Sequence, residues 1–132
     1  MATVTPQITD VNGSILWSWF PINGGDTCVP IVSPEYQDKT VVVVNPPGAG
    51  QGNWLFTLMG SNDFTAPTSM QNTAVLTDVS TGNAINNTNS ATASTAGALV
   101  GFFVVKENTL KIAPNVQVGT SINVTIMCAK KR

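Results

Sequence analysis

The chain has 132 residues, of which only 10% are charged, with six Lys and Arg against seven Asp and Glu and no histidine. Such a length predicts one domain that buries roughly two-thirds of its unfolded surface, with Thr, Asn, Ser, Ala and Gly filling the deficit from a usual ~25% of charged residues. The charge balance argues against nucleic-acid recognition, which needs several phosphate-neutralising cations, and a chain without imidazole lacks the usual base for a Ser or Cys nucleophile and the commonest metal ligand.

The first twenty residues have neither a basic region nor a continuous apolar stretch, and no apolar run approaches the ~20 residues of a helical membrane span. The expectation is synthesis in the cytoplasm, no membrane and no glycosylation at the sequons that begin at Asn12, Asn86 and Asn123. Cys28 and Cys128 lie at opposite ends of the chain without C-x-x-C spacing. They are expected as reduced, buried thiols, with a disulfide as the alternative and no metal site.

Residues 1–40 read as an extended arm and loop-rich lead-in, and residues 41–132 as a β-sandwich domain. Met1 to Asn12 is rich in Thr, Pro, Gln and Asn. Ile15 to Phe20 follows as the first strand, with Trp17 and Trp19 on one face and Leu16, Ser18 and Phe20 on the other. Two readings compete for these indoles: they fill one end of the core, or, with Ile15 and Phe20, they anchor the arm on a protein partner, since Trp is enriched at interface hot spots. Pro21, Gly24, Gly25, Pro30 and Pro34 then limit Cys28 to Val32 to a short edge strand, and Glu35, Asp38 and Lys39 read as a solvated loop.

From Val41 to Gly82 the pattern is that of a β-meander, in which strand-forming runs are separated by Gly, Pro, Asn, Asp and Ser. Val41 to Val44 is apolar on both faces and should be central. Pro46 to Gly52 is a turn, since it lacks the Gly-Lys-Ser/Thr end of a phosphate loop. Trp54 to Met59 is a strand with Trp54 and Phe56 inward, Phe64 to Met70 a loop, Thr73 to Leu76 a short strand, and Asp78 to Asn83 a turn. Asp63 and Asp78 read as residues that bond their own turns, not as catalytic carboxylates.

Asn83 to Gly97 is low in complexity, has Ile85 as its single large apolar residue and is expected to give nothing to the core. Leu99 to Val105 is a strand in which Gly101 marks a bulge or a close backbone approach. Lys106 to Asn108 is expected to turn it into a hairpin with Thr109 to Ala113, which Pro114-Asn115 stops. In Ser121 to Cys128, Ile122, Val124, Ile126 and Cys128 point inward, and Lys130 to Arg132 form a solvated basic tail. No segment carries a helical repeat or a capping box. The fold class is therefore all-β, a two-layer antiparallel β-sandwich, immunoglobulin-like or jelly-roll, with an extended N-terminal arm.

Gly60-Ser61-Asn62-Asp63, Leu76-Thr77-Asp78 with Gly82-Asn83-Ala84-Ile85, Glu107-Asn108 ahead of Leu110-Lys111-Ile112-Ala113-Pro114, and Gly119-Thr120 before a Val-Thr strand with a basic end form one pattern. It resembles a family of small structural proteins of tailed bacteriophages, over roughly residues 41–132. The resemblance implies a non-enzymatic virion protein without cofactor or small-molecule substrate. It would decorate or cement the head by binding the major capsid protein, commonly as a homotrimer at threefold or quasi-threefold positions on the capsid surface. This sequence lacks the aromatic residue expected between the first two elements, and its first forty residues fall outside the pattern. The alternatives are another virion or tail role, or a carbohydrate-binding module that stacks sugars on Trp17, Trp19, Trp54 and Tyr36.

Overall fold

The alternation of Ile122, Val124, Ile126 and Cys128 builds a strand that is paired on both of its sides. In a computed structural model, which describes residues 2–32, 36–44, 55–63, 70, 72–86, 88–89, 99–106, 109–119 and 122–130, all four of these side chains are buried. The strands are β1 (Thr3–Val4), β2 (Gln7–Val11), β3 (Ser14–Ile22), β4 (Thr27–Cys28), β5 (Ile31–Val32), β6 (Tyr36–Val44), β7 (Leu55–Ser61), β8 (Ala74–Val75), β9 (Thr77–Asp78), β10 (Asn83–Ala84), β11 (Thr88–Asn89), β12 (Leu99–Val105), β13 (Lys111–Val118) and β14 (Ile122–Lys130). Among the described residues there is no helix.

One five-stranded sheet has the order β12-β6-β14-β3-β2, and the other runs β11-β7-β13-β5 with β8 also on β7. The fold is an all-β sandwich whose single apolar core takes Trp17, Trp19, Val41, Val43, Val124 and Ile126 from the first sheet and Phe56, Leu58, Ile112 and Val116 from the second. Phe56 and Phe103 stack across the gap with centroids 6.1 Å apart.

The antiparallel pairs β3·β14, β5·β13, β6·β12 and β7·β8 alternate between the two sheets along the chain. A long antiparallel ribbon rolled on itself gives this pattern, so of the two topologies open from sequence the pairings select the jelly roll. The meander reading of residues 41–82 is thereby corrected. β6 and β7 lie in opposite sheets, as do β12 and β13, which do not form the expected hairpin. Local turn chemistry marks where a chain reverses but not which layer it re-enters.

The expected arm is also corrected. β2 and β3 form a hairpin around Asn12 and Gly13 (φ +46° and +86°), an Asn-Gly loop whose positive φ values match the twist of its strands. β3 then lies between β2 and β14 inside the first sheet, and β1 runs parallel to β4. Phe20 and Pro21, joined by a cis peptide, together oppose Asn123 as a bulge in the ladder, which accommodates a proline within a strand. Gly24 is required by contact: a Cβ there would stand 2.8 Å from the Gln117 carbonyl oxygen.

Three further expectations change. Lys39, read as solvated, lies on the inner side of β6 and is buried, because β6 begins at Tyr36. Pro114 does not stop its strand: it pairs with Leu58, and β5 reaches only Lys111 and Ile112 on the other side, so no continuing ladder there lacks its N–H. Ile85 is fully buried, set by the Ile85 N–H donating to Leu76 O and the Leu58 N–H donating to Ile85 O. The readings of Glu35, the Pro46 to Gly52 turn, Trp54, residues 64–69, residues 91–98, Glu107-Asn108 and the tail from Lys131 lie outside the described residues.

Because β3 supplies Trp17, Trp19 and Ile22 to the core, removing residues 1–22 should abolish cooperative unfolding of the remainder, as read by circular dichroism in denaturant. A cooperatively folded 23–132 chain would overturn this placement. Trp19→Ala should cost about 3–5 kcal/mol in the same measurement.

Candidate functional site

The residues singled out as a partner anchor do not share one environment. Trp17 and Trp19 face the core, and the Trp19 indole N–H donates to the Val29 carbonyl at 2.9 Å. Ile15 is half-buried against the same cluster. Only Phe20, at the bulge, is exposed, at 48%. The indoles are therefore core residues, and the anchor reading is corrected for both; period-two alternation placed them on one face but could not say that the second sheet covers it. The side chains of Tyr36 and Trp54 lie outside the described residues.

The carboxylates organise loops. Asp78 accepts from the Ser80 amide at 3.2 Å, the Ser80 hydroxyl at 2.8 and 2.9 Å, the Thr81 hydroxyl at 3.2 Å and the Val104 amide at 3.0 Å. Burial alone would push its carboxyl up, but the Val104 amide and the Ser80 and Thr81 groups outweigh it and hold the carboxyl below the usual range. Asp63 accepts from the Asn72 side-chain amide at 2.6 Å. Asp26 takes the Ala2 and Asn23 amides, each at 2.9 Å, and these bonds, the Ala2 amide first, hold its carboxyl low. Cys28 and Cys128 are free and buried, and burial pushes both thiols up to about 12. Asp26 adds to the rise at Cys28, while Lys39 opposes it at Cys128. Thiols held so high have almost no thiolate at neutral pH and make poor nucleophiles.

What the molecule presents instead is a sheet face. Residues directly opposite in a ladder share a face, so the first sheet carries on its outer side the rows Thr9, Leu16, Met127, Thr40, Val104 and Gln7, Ser18, Thr125, Val42, Phe102, followed by Asn123 and Val44. None of these twelve residues is charged. Phe102 is 54% exposed and Met127 43%. The Ser18 and Thr125 hydroxyls bond each other at 3.0 Å, so even the polar centre of the face is partly satisfied internally.

The other sheet differs. Thr57, Ser61, Lys111 and Ala113 point away from the core by register yet are buried. A cavity of about 300 Å³ beside them is lined by Asp26 and Cys28, by Met59, and by Met70 of the following loop. Among the described residues, one outer face is covered and the other is left bare.

The bare face spans five strands and five residues along β14, which at ~4.8 Å and ~3.3 Å spacing is about 400 Å² in projection. Six of its twelve residues are apolar, and the whole face is about half of the ~800 Å² each partner gives to a standard interface. Strand alternation in the sequence could have shown an uncharged face on each strand separately, but only the pairing brings Phe102, Val42, Thr125 and Ser18 into one row. No family model, no curated protein and no solved structure matches the chain.

Asp78→Ala should cost about 1–3 kcal/mol, because the Val104 amide loses its acceptor. A carboxyl held low in the fold contributes stability that is present above its unfolded value of about 3.9 and is lost as pH falls through the folded value. The stability gap between the native chain and Asp78→Asn should therefore narrow as pH is lowered through this range, measured by urea unfolding; a constant gap would show that the charge on Asp78 is not what holds the turn.

Proposed function

We propose that the chain is a non-enzymatic structural protein of a virus particle, one that decorates the head by binding the major capsid protein. The observation that carries this reading is the set of twelve uncharged residues on the outer side of the β12-β6-β14-β3-β2 sheet. A protein whose task is to add contact area at junctions between subunits gains from a face without ions, since burying an unpaired charge costs several kcal/mol. The jelly roll is compatible with this role, being a common architecture of viral capsid domains as well as of lectins and cupins, but a fold alone assigns no function.

The sequence resemblance supplies the trimeric arrangement at threefold or quasi-threefold positions. It fits the magnitude of the patch, because about half a standard interface per copy binds weakly alone, and linking three copies makes the later contacts intramolecular. A glycan-binding role loses its first two platforms, since Trp17 and Trp19 are buried. Among the described residues no indole is exposed.

The direct test is quantitative mass spectrometry of purified particles. Decoration requires a ratio to the major capsid protein near one-to-one or a simple fraction set by icosahedral symmetry. A few copies per particle would move the chain to the tail, and none would end the virion reading. The double variant Phe102→Lys, Met127→Lys should keep the native circular dichroism spectrum and lose at least about a hundredfold in affinity for undecorated particles, the scale of two interface hot spots. Unchanged binding would remove this face from the interface.

A further inference from the structure

A β-sandwich has four sheet edges, and this chain treats one of them differently. The edge of β12 is capped at Val104 from β9 and its turn: the Val79 amide donates to Val104 O, and the Val104 amide donates to the Asp78 carboxylate. The edge of β7 is occupied along its length by β8, β11 and the Leu76 and Ile85 backbone groups. β5 is two residues long, too short to template a ladder. β2, five residues long, closes the first sheet and pairs among the described residues only with β3.

The hairpin geometry tells which groups that edge offers. In a two-residue loop the flanking pair, here Val11 and Ser14, exchanges both of its hydrogen bonds, and bonded and non-bonded pairs then alternate along the ladder. Thr9 and Gln7 therefore bond inward to β3, while the N–H and C=O of Ile8 and Asp10 point outward. Pro6 sets the limit on one side and the Asn12-Gly13 turn on the other. Ile8 shares a face with Trp17 by register but is 61% exposed, because β2 overhangs the second sheet. Proteins usually guard such an edge with an inward charge, a proline or a covering loop, and within β2 the one charge is Asp10, on the same side as Ile8 by register.

We propose that β2 is a self-association edge, at which two copies of this chain pair antiparallel about a twofold axis through Thr9 and join their sheets into one of ten strands. In this register Ile8 stands opposite Asp10 of the second copy and Asp10 opposite its Ile8. All the outward groups of both residues are then used, in four backbone hydrogen bonds. The two Thr9 side chains face each other across the non-bonded pair, a favourable cross-strand combination, and the two Ile8 side chains become diagonal neighbours. The two Asp10 side chains are likewise diagonal neighbours and do not stand directly opposite each other. Among the described residues each of the other edges carries a cap or is too short, so β2 on β2 is the strand-to-strand contact between copies that the edges favour, and such an isologous contact closes on itself. It also makes the uncharged outer face continuous across two copies, which on a capsid would tie neighbouring trimers together. The association itself does not depend on the capsid reading and is measurable in its absence.

The test is sedimentation velocity of the full chain from micromolar to millimolar concentration, beside Asp10→Pro. Proline at position 10 removes an outward N–H in each copy without breaking a bond between β2 and β3. The native chain should form, as concentration rises, a species of at least twice the mass of the dilute form, and Asp10→Pro should weaken this step about tenfold or more, since two of the four bonds are lost. A native chain that never gains mass, or a variant that associates as well as the native chain, overturns the proposal. Amide hydrogen exchange on the native chain gives a readout that does not depend on the variant folding: the Ile8 and Asp10 amides should become protected only at high concentration, and their exchange at an unchanged rate would equally refute it.

Discussion

The ladder between β14 and its two neighbours is the constraint on which the rest depends. β14 bonds β3 on one side and β6 on the other, so a strand near the end of the chain completes a sheet begun within its first 22 residues. Its inward residues meet Trp17, Trp19, Val41 and Val43 in the core. These are contacts between distant parts of the sequence, and loop-closure entropy is spent before any of them forms. The sheet has no stable half: without β3, β14 has an open edge and the core loses both of its described indoles.

The same constraint explains which features were legible in the sequence. The strands with strict alternation or β-branched runs, Ile15 to Phe20, Val41 to Val44 and Ile122 to Cys128, read correctly because burial on one or both faces leaves a pattern of period two or an unbroken apolar run. At Gly101 the sequence left a bulge or a close backbone approach open, since a glycine inside an apolar strand marks either; the pairing selects the bulge. The register does shift between Leu99 and Gly101. Layer assignment was not legible. β6 to β7 and β12 to β13 look like hairpins because turn residues separate them, and whether the chain folds back beside itself or crosses to the other sheet depends on partners elsewhere in the chain. Ile85 was lost to the composition of its neighbourhood: one isoleucine among Asn, Thr and Ala carries no periodicity, yet two backbone bonds fix it over β7.

The candidate face was half visible. Its residues alternate with the core residues on each strand, and the low charge of the chain foretold a surface with few ions. What could not be read was that the two outer faces would be treated unequally. Met59 and Thr57 on one sheet and Met127 and Thr125 on the other have similar local sequence settings, but only the first pair lies where the chain returns to cover it. The burial of Lys39 and Lys111 has the same origin, since a lysine in a strand takes whichever side the register dictates. In each case the missing information is tertiary, and no local propensity contains it.

Edge treatment carries the synthesis one step further. A sheet protein with few charges gives up the commonest guard against edge-to-edge pairing, which is a lysine or another ion on the edge strand. The chain compensates at β12 and β7 with backbone and carboxylate caps. Asp78 is the informative case: by accepting from the Val104 amide it takes the place of a carbonyl on a missing neighbour strand, and its turn holds it there through Ser80 and Thr81. A single ion so placed does the work of a strand without adding an interface. Against that background β2, which among the described residues pairs only with β3, leaves the outward backbone groups of Ile8 and Asp10 to solvent, and the uncapped strand is the exception among the edges of the two sheets.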